Sequence, residues 1–348
     1  MKHPREILLG SQAAASALPV CDHYAGVEVR MRKSLQLQAE MSQEFGSCVF
    51  DVTLDCEDGA PVGGEHEHAL MVAELAVQTM QRAVAGSSAP RVAVRVHPVD
   101  HPAFASDIAT IVHRAGAALC HLMIPKVESL ADVQRAVDAV DQVCPARAQS
   151  LPLHVLIEST AAVQRAFDIA SHPRVQSLSF GLMDFVSAHG GAIPASAMTV
   201  SGQFSHPLVV RAKLEIASAC HAWGKVPAHC VVTEFSDADA VQRAARHAAG
   251  ELGFTRMWSI HPAQIRPILA AFAPELRQVE LAARIIAAAG AAGWAPISLG
   301  AQLHDRASYR YYWQLLERAH RTGLCLPPEV QGYFLSAPHS TPLHKEIA

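Results

Sequence analysis

Hydrophobic positions along the chain fall into two kinds of segment that alternate. Short apolar runs rich in β-branched residues are separated by longer stretches in which apolar residues recur with helical spacing. The short runs cover residues 27–31, 50–56, 92–96, 121–125, 153–157, 177–181, 226–232 and 255–260. The helical stretches include 67–84, 107–115, 130–140 and 208–222. This alternation predicts parallel strands joined by helical crossovers.

The number of strand–helix units predicts the fold. Eight units over about 250 residues fit a (β/α)₈ TIM barrel, a fold of the α/β class. A doubly wound sheet is the alternative, but no GxGxxG follows the first predicted strands and no GxxxxGK[ST] occurs in the chain. We therefore assign residues 1–274 to a (β/α)₈ barrel that carries the catalytic site.

The pattern changes after residue 260. Two helices are predicted at 264–272 and 275–289, followed by a linker at 290–300 and an amphipathic helix at 308–322. This tail is too short to bury a core of its own. We expect residues 275–348 to form a C-terminal helical cap that packs on a neighbouring subunit of a homo-oligomer.

Composition narrows the class of protein. With 28 basic and 32 acidic residues among 348, the net charge is −4, which argues against a duplex nucleic-acid surface. The longest apolar stretches, such as 285–297, are shorter than the roughly 20 residues of a membrane-spanning helix. No signal-peptide core is present, and the eight cysteines form no CxxC pair. These features predict a soluble, cytoplasmic protein without a membrane partner.

Ionisable residues follow five successive predicted strands. In a barrel of this kind the chemistry gathers at the C-terminal ends of the strands. A buried charge needs a partner, so a concentration of charges at these ends predicts an active site. The residues at the five ends are Asp55, Glu57 and Asp58, then Arg95 and His97, then Lys126 and Glu128, then Glu158, and finally Asp184.

Glu158 and Asp184 lie at adjacent predicted strand ends, so their carboxylates can meet over the barrel mouth. Oxygen ligands without histidine or cysteine suit a hard cation, Mg²⁺ or Mn²⁺, that keeps open positions for water and substrate. The alternative is that each carboxylate pairs with a neighbouring arginine or lysine, or caps a helix.

Arg95 presents a planar fork that can bind a carboxylate or a developing enolate. Its alternative role is a structural ion pair with Asp55, Glu57 or Asp58. These three acids cannot all be metal ligands, and we expect one or two of them to orient Arg95 or to hold metal-bound water. Lys126 could form a Schiff base, but surrounding carboxylates keep a lysine protonated, so we expect an ion pair.

Six short strings lie at or near the predicted strand ends. They are LDCEDGAP (54–61), VRVHP (94–98), IPKVES (124–129), LIESTAAV (156–163), FGLMDF (180–185) and WSIHPAQI (258–265). In this order they resemble the citrate lyase β-subunit-like members of the HpcH/HpaI aldolase superfamily, which include malyl-CoA and citramalyl-CoA lyases. The resemblance runs from about Arg30 to Ala319.

The resemblance implies a Mg²⁺-dependent barrel that forms trimers or hexamers. Such an enzyme cleaves or condenses a 3-hydroxy-3-carboxyacyl thioester, such as malyl-CoA or citramalyl-CoA, into an acyl-CoA and a 2-keto acid. The CoA thioester is then a substrate rather than a bound cofactor. Three alternatives stay open: a pyruvate-dependent aldolase, a malyl-CoA thioesterase, or a non-catalytic subunit that binds metal or acyl groups.

The resemblance also implies roles for single residues. Glu158 and Asp184 match the metal ligands, Arg95 matches the residue that binds the substrate carbonyl, and Glu57 with Asp58 match the acids that order the metal's water. The prediction names Arg95, Asp58, Glu57 and Asp305 as catalytic, Arg95, Glu158 and Lys126 as substrate-binding, and Glu158 and Asp184 as metal ligands.

Asp305 has two possible roles, and two other positions depart from the family pattern. Asp305 matches an aspartate that reaches a neighbouring active site as acid or base, but it could equally cap the final helix. The family usually has asparagine at the position of His97, and Asp-Gly in the region that reads Ala228-His229-Cys230-Val231 here. Both departures are expected near the mouth and predict a substrate that differs from those of the best-known members.

Overall fold

The computed structural model describes residues 3–10, 18–83, 88–143 and 151–335. Within these ranges eight parallel strands form a closed barrel in chain order, and Cys21 on the first strand pairs with Met257 on the last. The predicted (β/α)₈ barrel is therefore confirmed. The strands are β1 Cys21–Ala25, β2 Phe50–Asp55, β3 Val92–Arg95, β4 Leu119–Ile124, β5 Leu153–Ile157, β6 Val175–Phe180, β7 Val226–His229 and β8 Arg256–Ser259.

Helices connect the strands and continue after the barrel. Short 3₁₀ turns at Ala195–Met198 and Gly202–Phe204 occupy the long connection that follows β6. Among the described residues, no helix has the length and apolar character needed to cross a membrane. The helices are α1 Pro4–Leu9, α2 Glu28–Phe45, α3 Glu65–Gln81, α4 Phe104–Asp107, α5 His113–Ala115, α6 Leu130–Val143, α7 Thr160–Gln164, α8 Ala166–Ser171, α9 Leu182–Ser187, α10 Pro207–Ala222, α11 Ala238–Glu251, α12 Ile265–Phe272, α13 Leu276–Ala291, α14 Arg306–Arg321 and α15 Pro328–Leu335.

The first strand does not lie where the apolar pattern placed it. Residues 27–31 were expected to form a strand, but they belong to the start of α2, and Val29 is 80% exposed. The true β1 reads CDHYA, and all five of its residues are buried. The polar residues Asp22 and His23 made this strand hard to recognise, but both are paired in the fold: Asp22 with Arg256, and His23 with the hydroxyls of Ser259 and Ser34.

The barrel interior carries a layer of buried charge. The Nη2 atom of Arg256 lies 2.8 Å from Asp22 Oδ2 and 2.6 Å from Asp51 Oδ2. Asp51 also forms an ion pair with Arg91. Side chains two residues apart on a strand face the same side, so Tyr24 lies one layer nearer the C-terminal ends than Asp22 does. The buried charges therefore sit below the mouth of the barrel.

The chain divides into two compact units, one spanning 18–272 and the other combining 1–17 with 273–348. The boundary after the barrel lies two residues before the expected one. Helix α1, which we expected in the barrel domain, belongs to the second unit because Leu8 and Leu9 are buried in a cluster with Ile286 and Trp313. The tail that follows residue 335 lies outside the described residues.

Two smaller expectations concern the tail and the cysteines. The segment 290–300 was expected to be a linker, but Ile297–Leu299 pairs antiparallel with Gln302–His304 as strands β9 and β10. The seven cysteines within the described ranges are all free. Cys144 lies outside the described residues.

Candidate active site at the carboxyl ends of the strands

A cavity of about 370 Å³ opens at the C-terminal ends of the barrel strands. Four of the predicted site residues line this cavity, although they come from separate parts of the chain. The fold therefore brings four of the charged residues that follow the predicted strands to one cavity. The charged residues that line the cavity are Arg30, Asp55, Asp58, Arg95, Glu158 and Asp184.

Arg95 is held by carboxylates on two sides. Its Nε donates to Asp55 Oδ1 at 2.7 Å and its Nη2 donates to Asp55 Oδ2 at 2.5 Å. Its Nη1 lies 2.9 Å from Glu57 Oε2. Burial alone would lower the pKa of the guanidinium, but Asp55 and Glu57 together outweigh that effect and raise it. The hydrogen bonds to Asp55 use two of the five N–H groups of an arginine, which leaves others to bind a ligand.

Glu158 is a buried carboxylate without a cationic partner. Its Oε1 accepts a hydrogen bond from the backbone N–H of Lys126 at 2.6 Å. Burial and the neighbouring Asp184 raise its pKa to about 8. A Cβ at Gly181 would lie 2.4 Å from Glu158 Oε2, so only glycine leaves room for this side chain. The two predicted metal ligands thus repel each other, and no ion pair within the described ranges relieves them.

Lys126 connects Glu158 to the acids that follow β2. Its Nζ lies 2.5 Å from Glu57 Oε1 and 3.4 Å from Asp58 Oδ1. Burial alone would lower the pKa of its ammonium group, but the hydrogen bond and charge of Glu57, together with the charges of Asp58 and Asp184, outweigh burial, so the pKa is raised. Lys126 is therefore ion-paired and charged, which does not suit a Schiff-base nucleophile. Its φ of +52° is uncommon outside glycine and aims the backbone N–H at Glu158.

The donor set at the mouth fits a divalent cation. Asp55, Glu57, Asp58, Glu158 and Asp184 contribute five carboxylates, whereas Arg95, Lys126 and Arg30 contribute three cations. Carboxyl groups thus outnumber cations by two, and the oxygens of Glu158 and Asp184 are those with no lysine or arginine at ion-pair distance in the part of the chain that the structure describes. All candidate ligand atoms are oxygens, which Mg²⁺ prefers.

A second group of possible ligands lies deeper in the barrel. The ligand atoms of Asp22, His121 and His154 lie within 4.8 Å of one another. However, the two imidazole rings stack with centroids 3.5 Å apart and planes 12° apart, so a metal in the plane of one ring would lie off the plane of the other. Asp22 Oδ2 is also paired with Arg256. This group does not have the geometry of a metal site.

The two departures from the family pattern do not line the cavity. The Nδ1 atom of His97 lies 2.7 Å from Asp107 Oδ2, and its ring stacks on His101 at 4.3 Å. His229 is fully buried and stacks on Phe204 at 5.3 Å. Both residues lie at or just beyond the C-terminal ends of their strands without lining the cavity, so their effect on the substrate stays a prediction. From the 228–231 string, Val231 is the residue that lines the cavity.

The apolar side of the cavity was missed by the sequence reasoning. Tyr24 and Trp258 line it as a stacked pair, with ring centroids 4.4 Å apart and planes 24° apart. The guanidinium of Arg95 lies 5.5 Å from the centre of the Tyr24 ring. Tyr24 was not predicted as a site residue because the first strand was assigned to residues 27–31. Alternation along CDHYA, with Asp22 and Tyr24 on one face, was the signal that could have identified it.

Asp305 lies in the second unit, at the start of α14. Its Oδ1 accepts hydrogen bonds from the backbone N–H groups of Ala307 at 3.0 Å and Ser308 at 3.2 Å. The hydroxyl of Ser308 accepts a hydrogen bond from the backbone N–H of Asp305 in return. This is a helix N-cap, the alternative that the sequence left open. Its role as an acid or base stays a prediction.

Known proteins share this sequence pattern. An L-malyl-CoA/beta-methylmalyl-CoA lyase of Cereibacter sphaeroides is 35% identical over 212 residues, which is 57% of this chain and 66% of the relative. The match thus spans slightly less than two thirds of that relative's length. A (3S)-malyl-CoA thioesterase of Cereibacter sphaeroides is 28% identical over 195 residues, which is 56% of this chain and 61% of that relative.

Solved structures share the fold. A citrate lyase from Burkholderia xenovorans LB400 is 46% identical, with a TM-score of 0.75, and the match covers 96% of this chain and 99% of that one. The CitE protein of Mycobacterium tuberculosis, in complex with magnesium, acetoacetate and coenzyme A, is 21% identical with a TM-score of 0.61, covering 87% and 98%. The family model for HpcH/HpaI aldolase/citrate lyase matches residues 36–262. The chain therefore belongs to the HpcH/HpaI aldolase/citrate lyase family.

Proposed function

We propose that this protein is a Mg²⁺-dependent carbon–carbon lyase. It cleaves or condenses a 3-hydroxy-3-carboxyacyl thioester, such as malyl-CoA or citramalyl-CoA, into an acyl-CoA and a 2-keto acid. One observation carries this proposal: the carboxylates of Glu158 and Asp184, which form no ion pair with any described residue, line the same cavity as the fixed guanidinium of Arg95. The names of the lyase relatives support the reaction class.

Glu158 and Asp184 are the residues that would hold the metal. When bound, Mg²⁺ supplies a Lewis acid that polarises the oxygens of a keto or hydroxy acid. Lys126 keeps Glu158 in place through its backbone N–H, and Gly181 leaves the space that the carboxylate occupies. These supports fix the donor atoms before any ligand arrives, which reduces the cost of binding.

Arg95 is the residue that would stabilise the charge of the reaction. In cleavage, a base removes the proton of the substrate hydroxyl, whose carbon becomes the keto group of the released acid. The electron pair of the broken carbon–carbon bond leaves with the thioester fragment as an enolate, and the negative charge develops on the thioester oxygen. The N–H groups of Arg95 that Asp55 and Glu57 do not use are available to donate to that oxygen. Because the two acids and the Tyr24 ring hold the guanidinium in place, it needs no reorganisation when the charge forms.

The proton for the enolate carbon comes from a separate group in this proposal. Asp305 remains our candidate, reaching the site of a neighbouring subunit in a trimer or hexamer. Its side chain caps α14, so it would have to serve both purposes. Sedimentation or light scattering would measure the oligomeric state, and a strictly monomeric active enzyme would exclude this role for Asp305.

The test is Mg²⁺-dependent release of keto acid from a panel of hydroxyacyl-CoA esters. We expect Glu158→Ala combined with Asp184→Ala to lower kcat/KM by at least about a hundredfold and to abolish Mg²⁺ binding in calorimetry. Glu44→Gln, which removes one exposed carboxylate elsewhere on the barrel, should leave both unchanged. Full activity in the double variant would refute the assignment.

A malyl-CoA thioesterase is the second candidate, favoured by the thioesterase relative. The same panel separates the two activities. A lyase releases a keto acid together with an acyl-CoA, whereas a thioesterase releases free thiol and a hydroxy acid. Thiol detection alongside keto-acid detection therefore decides between them.

A further inference from the structure

A lysine is buried outside the cavity and has no role in the proposed reaction. Lys213, on α10, is fully buried, and no carboxylate within the described ranges lies at ion-pair distance from its Nζ. Its Nζ instead donates to Gln203 Oε1 at 2.8 Å and lies 4.0 Å from the centre of the Phe204 ring. Burial lowers its pKa to about 8. An amine so costly to bury needs a structural reason.

The partners of Lys213 belong to the connection between α9 and α10. Gln203 and Phe204 form the 3₁₀ turn Gly202–Phe204 in that connection. The Phe204 ring is packed between the rings of His229 and His247, at 5.3 Å and 4.2 Å. Lys213 therefore binds the connection through both a hydrogen bond and the face of an aromatic ring.

The same connection is attached to the chain that follows β7. The Sγ of Cys230 donates to Gln203 Oε1 at 3.1 Å, so the amine and the thiol share one acceptor. A few residues away, the backbone N–H of Val200 donates to Glu234 Oε1 at 3.1 Å. Two attachments thus hold the connection against residues 230–234.

These attachments reach the wall of the cavity. Val231, which lines the cavity, directly follows Cys230. The connection itself begins where α9 ends, and α9 carries Asp184 in its first turn. A shift of Gln203 would therefore be transmitted through Cys230 to a residue of the cavity wall.

We propose that Lys213 is a positioning residue of the site. Its amine fixes Gln203, and through Gln203 it fixes Cys230, so that the connection 195–205 and the wall at Val231 keep their places. An apolar residue of similar length would fill the same space but could not donate to Gln203. This need explains a buried lysine where packing alone favours a hydrocarbon side chain.

Hydrogen exchange tests the attachment directly. We expect Lys213→Met to speed amide exchange in 195–205 and 230–234 by about fivefold or more, because one buried hydrogen bond is lost. Lys225→Met is the matched control. Lys225 is half-buried and precedes the opposite end of β7, where its Nζ donates to His172 O at 3.1 Å. It should leave exchange in both segments unchanged.

A second variant changes the acceptor of the same hydrogen bond rather than its donor. Gln203→Leu removes the shared acceptor and should reproduce the faster exchange. Because both changes remove one interaction, the double variant should add little to either single variant. This pair of variants keeps the test informative if Lys213→Met does not fold.

A kinetic readout rests on the proposed function. With the preferred thioester, Lys213→Met should raise KM about threefold or more while kcat changes less, because it disturbs the wall rather than the reacting groups. Unchanged exchange in Lys213→Met, or an equal effect of Lys225→Met, would overturn the inference. Absence of turnover in the unaltered protein would instead refute the proposed function and leave the exchange result standing.

Discussion

Replacing the buried Arg256 should destabilise the barrel far more than replacing an exposed arginine in an equally good ion pair. The guanidinium of Arg256 is fully buried and pairs with Asp22 and Asp51, and it also donates to Pro19 O at 2.7 Å. Arg256→Met keeps most of the volume and removes the charge. Asp51 retains Arg91, so Asp22 becomes the uncompensated carboxylate.

The size of the effect follows from the desolvation of that carboxylate. Removing one partner of a buried ion pair costs about 3–5 kcal/mol, because the other charge cannot return to water. In a domain of about 250 residues, 1 kcal/mol corresponds to roughly 2–4 °C in Tm. We therefore expect Arg256→Met to lower Tm by about 6–20 °C.

Arg266 is the matched control. It binds both oxygens of Glu44, at 2.8 and 2.5 Å, but the side chains of Arg266 and Glu44 are 58% and 49% exposed. Water solvates both groups once the pair is broken, so the loss is at most about 1 kcal/mol and Arg266→Met should change Tm by less than about 4 °C. Calorimetry of the two variants at one pH and salt concentration measures the difference.

A rescue experiment tests the cause. If an uncompensated charge on Asp22 is responsible, Asp22→Asn should recover part of the stability that Arg256→Met removes. The reasoning fails if Arg256→Met and Arg266→Met lower Tm by the same amount. It also fails if Asp22→Asn lowers the Tm of the Arg256→Met variant by as much as it lowers the Tm of the unaltered protein.

Two further predictions concern the site and the response to acid. Gly181→Ala should lower kcat/KM by about tenfold or more, because the new Cβ would lie 2.4 Å from Glu158 Oε2 and 2.6 Å from Glu158 Cβ and would displace that side chain. Gly250→Ala, on α11 with open space at its Cβ, should keep full activity. Burial lowers the pKa of His154 to about 3, so the folded state binds fewer protons than the unfolded state below the ordinary histidine pKa of about 6.5. The stability that depends on an uncharged His154 should therefore be fully present above about pH 6.5 and should decrease as the pH drops towards about 3. A Tm that stays constant from neutral pH to about pH 4 would contradict this prediction.

The sequence predicted the barrel and the grouping of its strand-end charges, because both depend on local order along the chain. Alternating strands and helices determine which ends of the strands meet. Once that is known, Asp58, Arg95, Glu158 and Asp184 must face one opening. This grouping follows from the order of strands and helices alone and requires no distances between side chains.

The features that could not be predicted from the sequence depend on pairs of residues that are far apart in the chain. The strand at Cys21–Ala25 looked too polar to be buried, because Asp22 is neutralised by Arg256, more than two hundred residues away. Lys213 looked like an ordinary helix residue for the same reason. Its acceptor on Gln203 and the thiol of Cys230 meet it only in the folded barrel. A pattern of single residues cannot reveal such compensation.

The two groups of buried charge in this barrel differ in how far they are neutralised. In the interior, Asp22 and Asp51 are matched by Arg91 and Arg256, and burial keeps His121 and His154 uncharged by lowering their pKa. At the mouth, five carboxylates face three cations. In the interior the buried acids are paired without a ligand, whereas at the mouth the carboxyl groups outnumber the cations by two, and burial together with Asp184 raises the pKa of Glu158. A divalent cation would compensate the charge of these carboxylates. The charge balance thus distinguishes the buried acids that hold the barrel together from those that we propose as metal ligands.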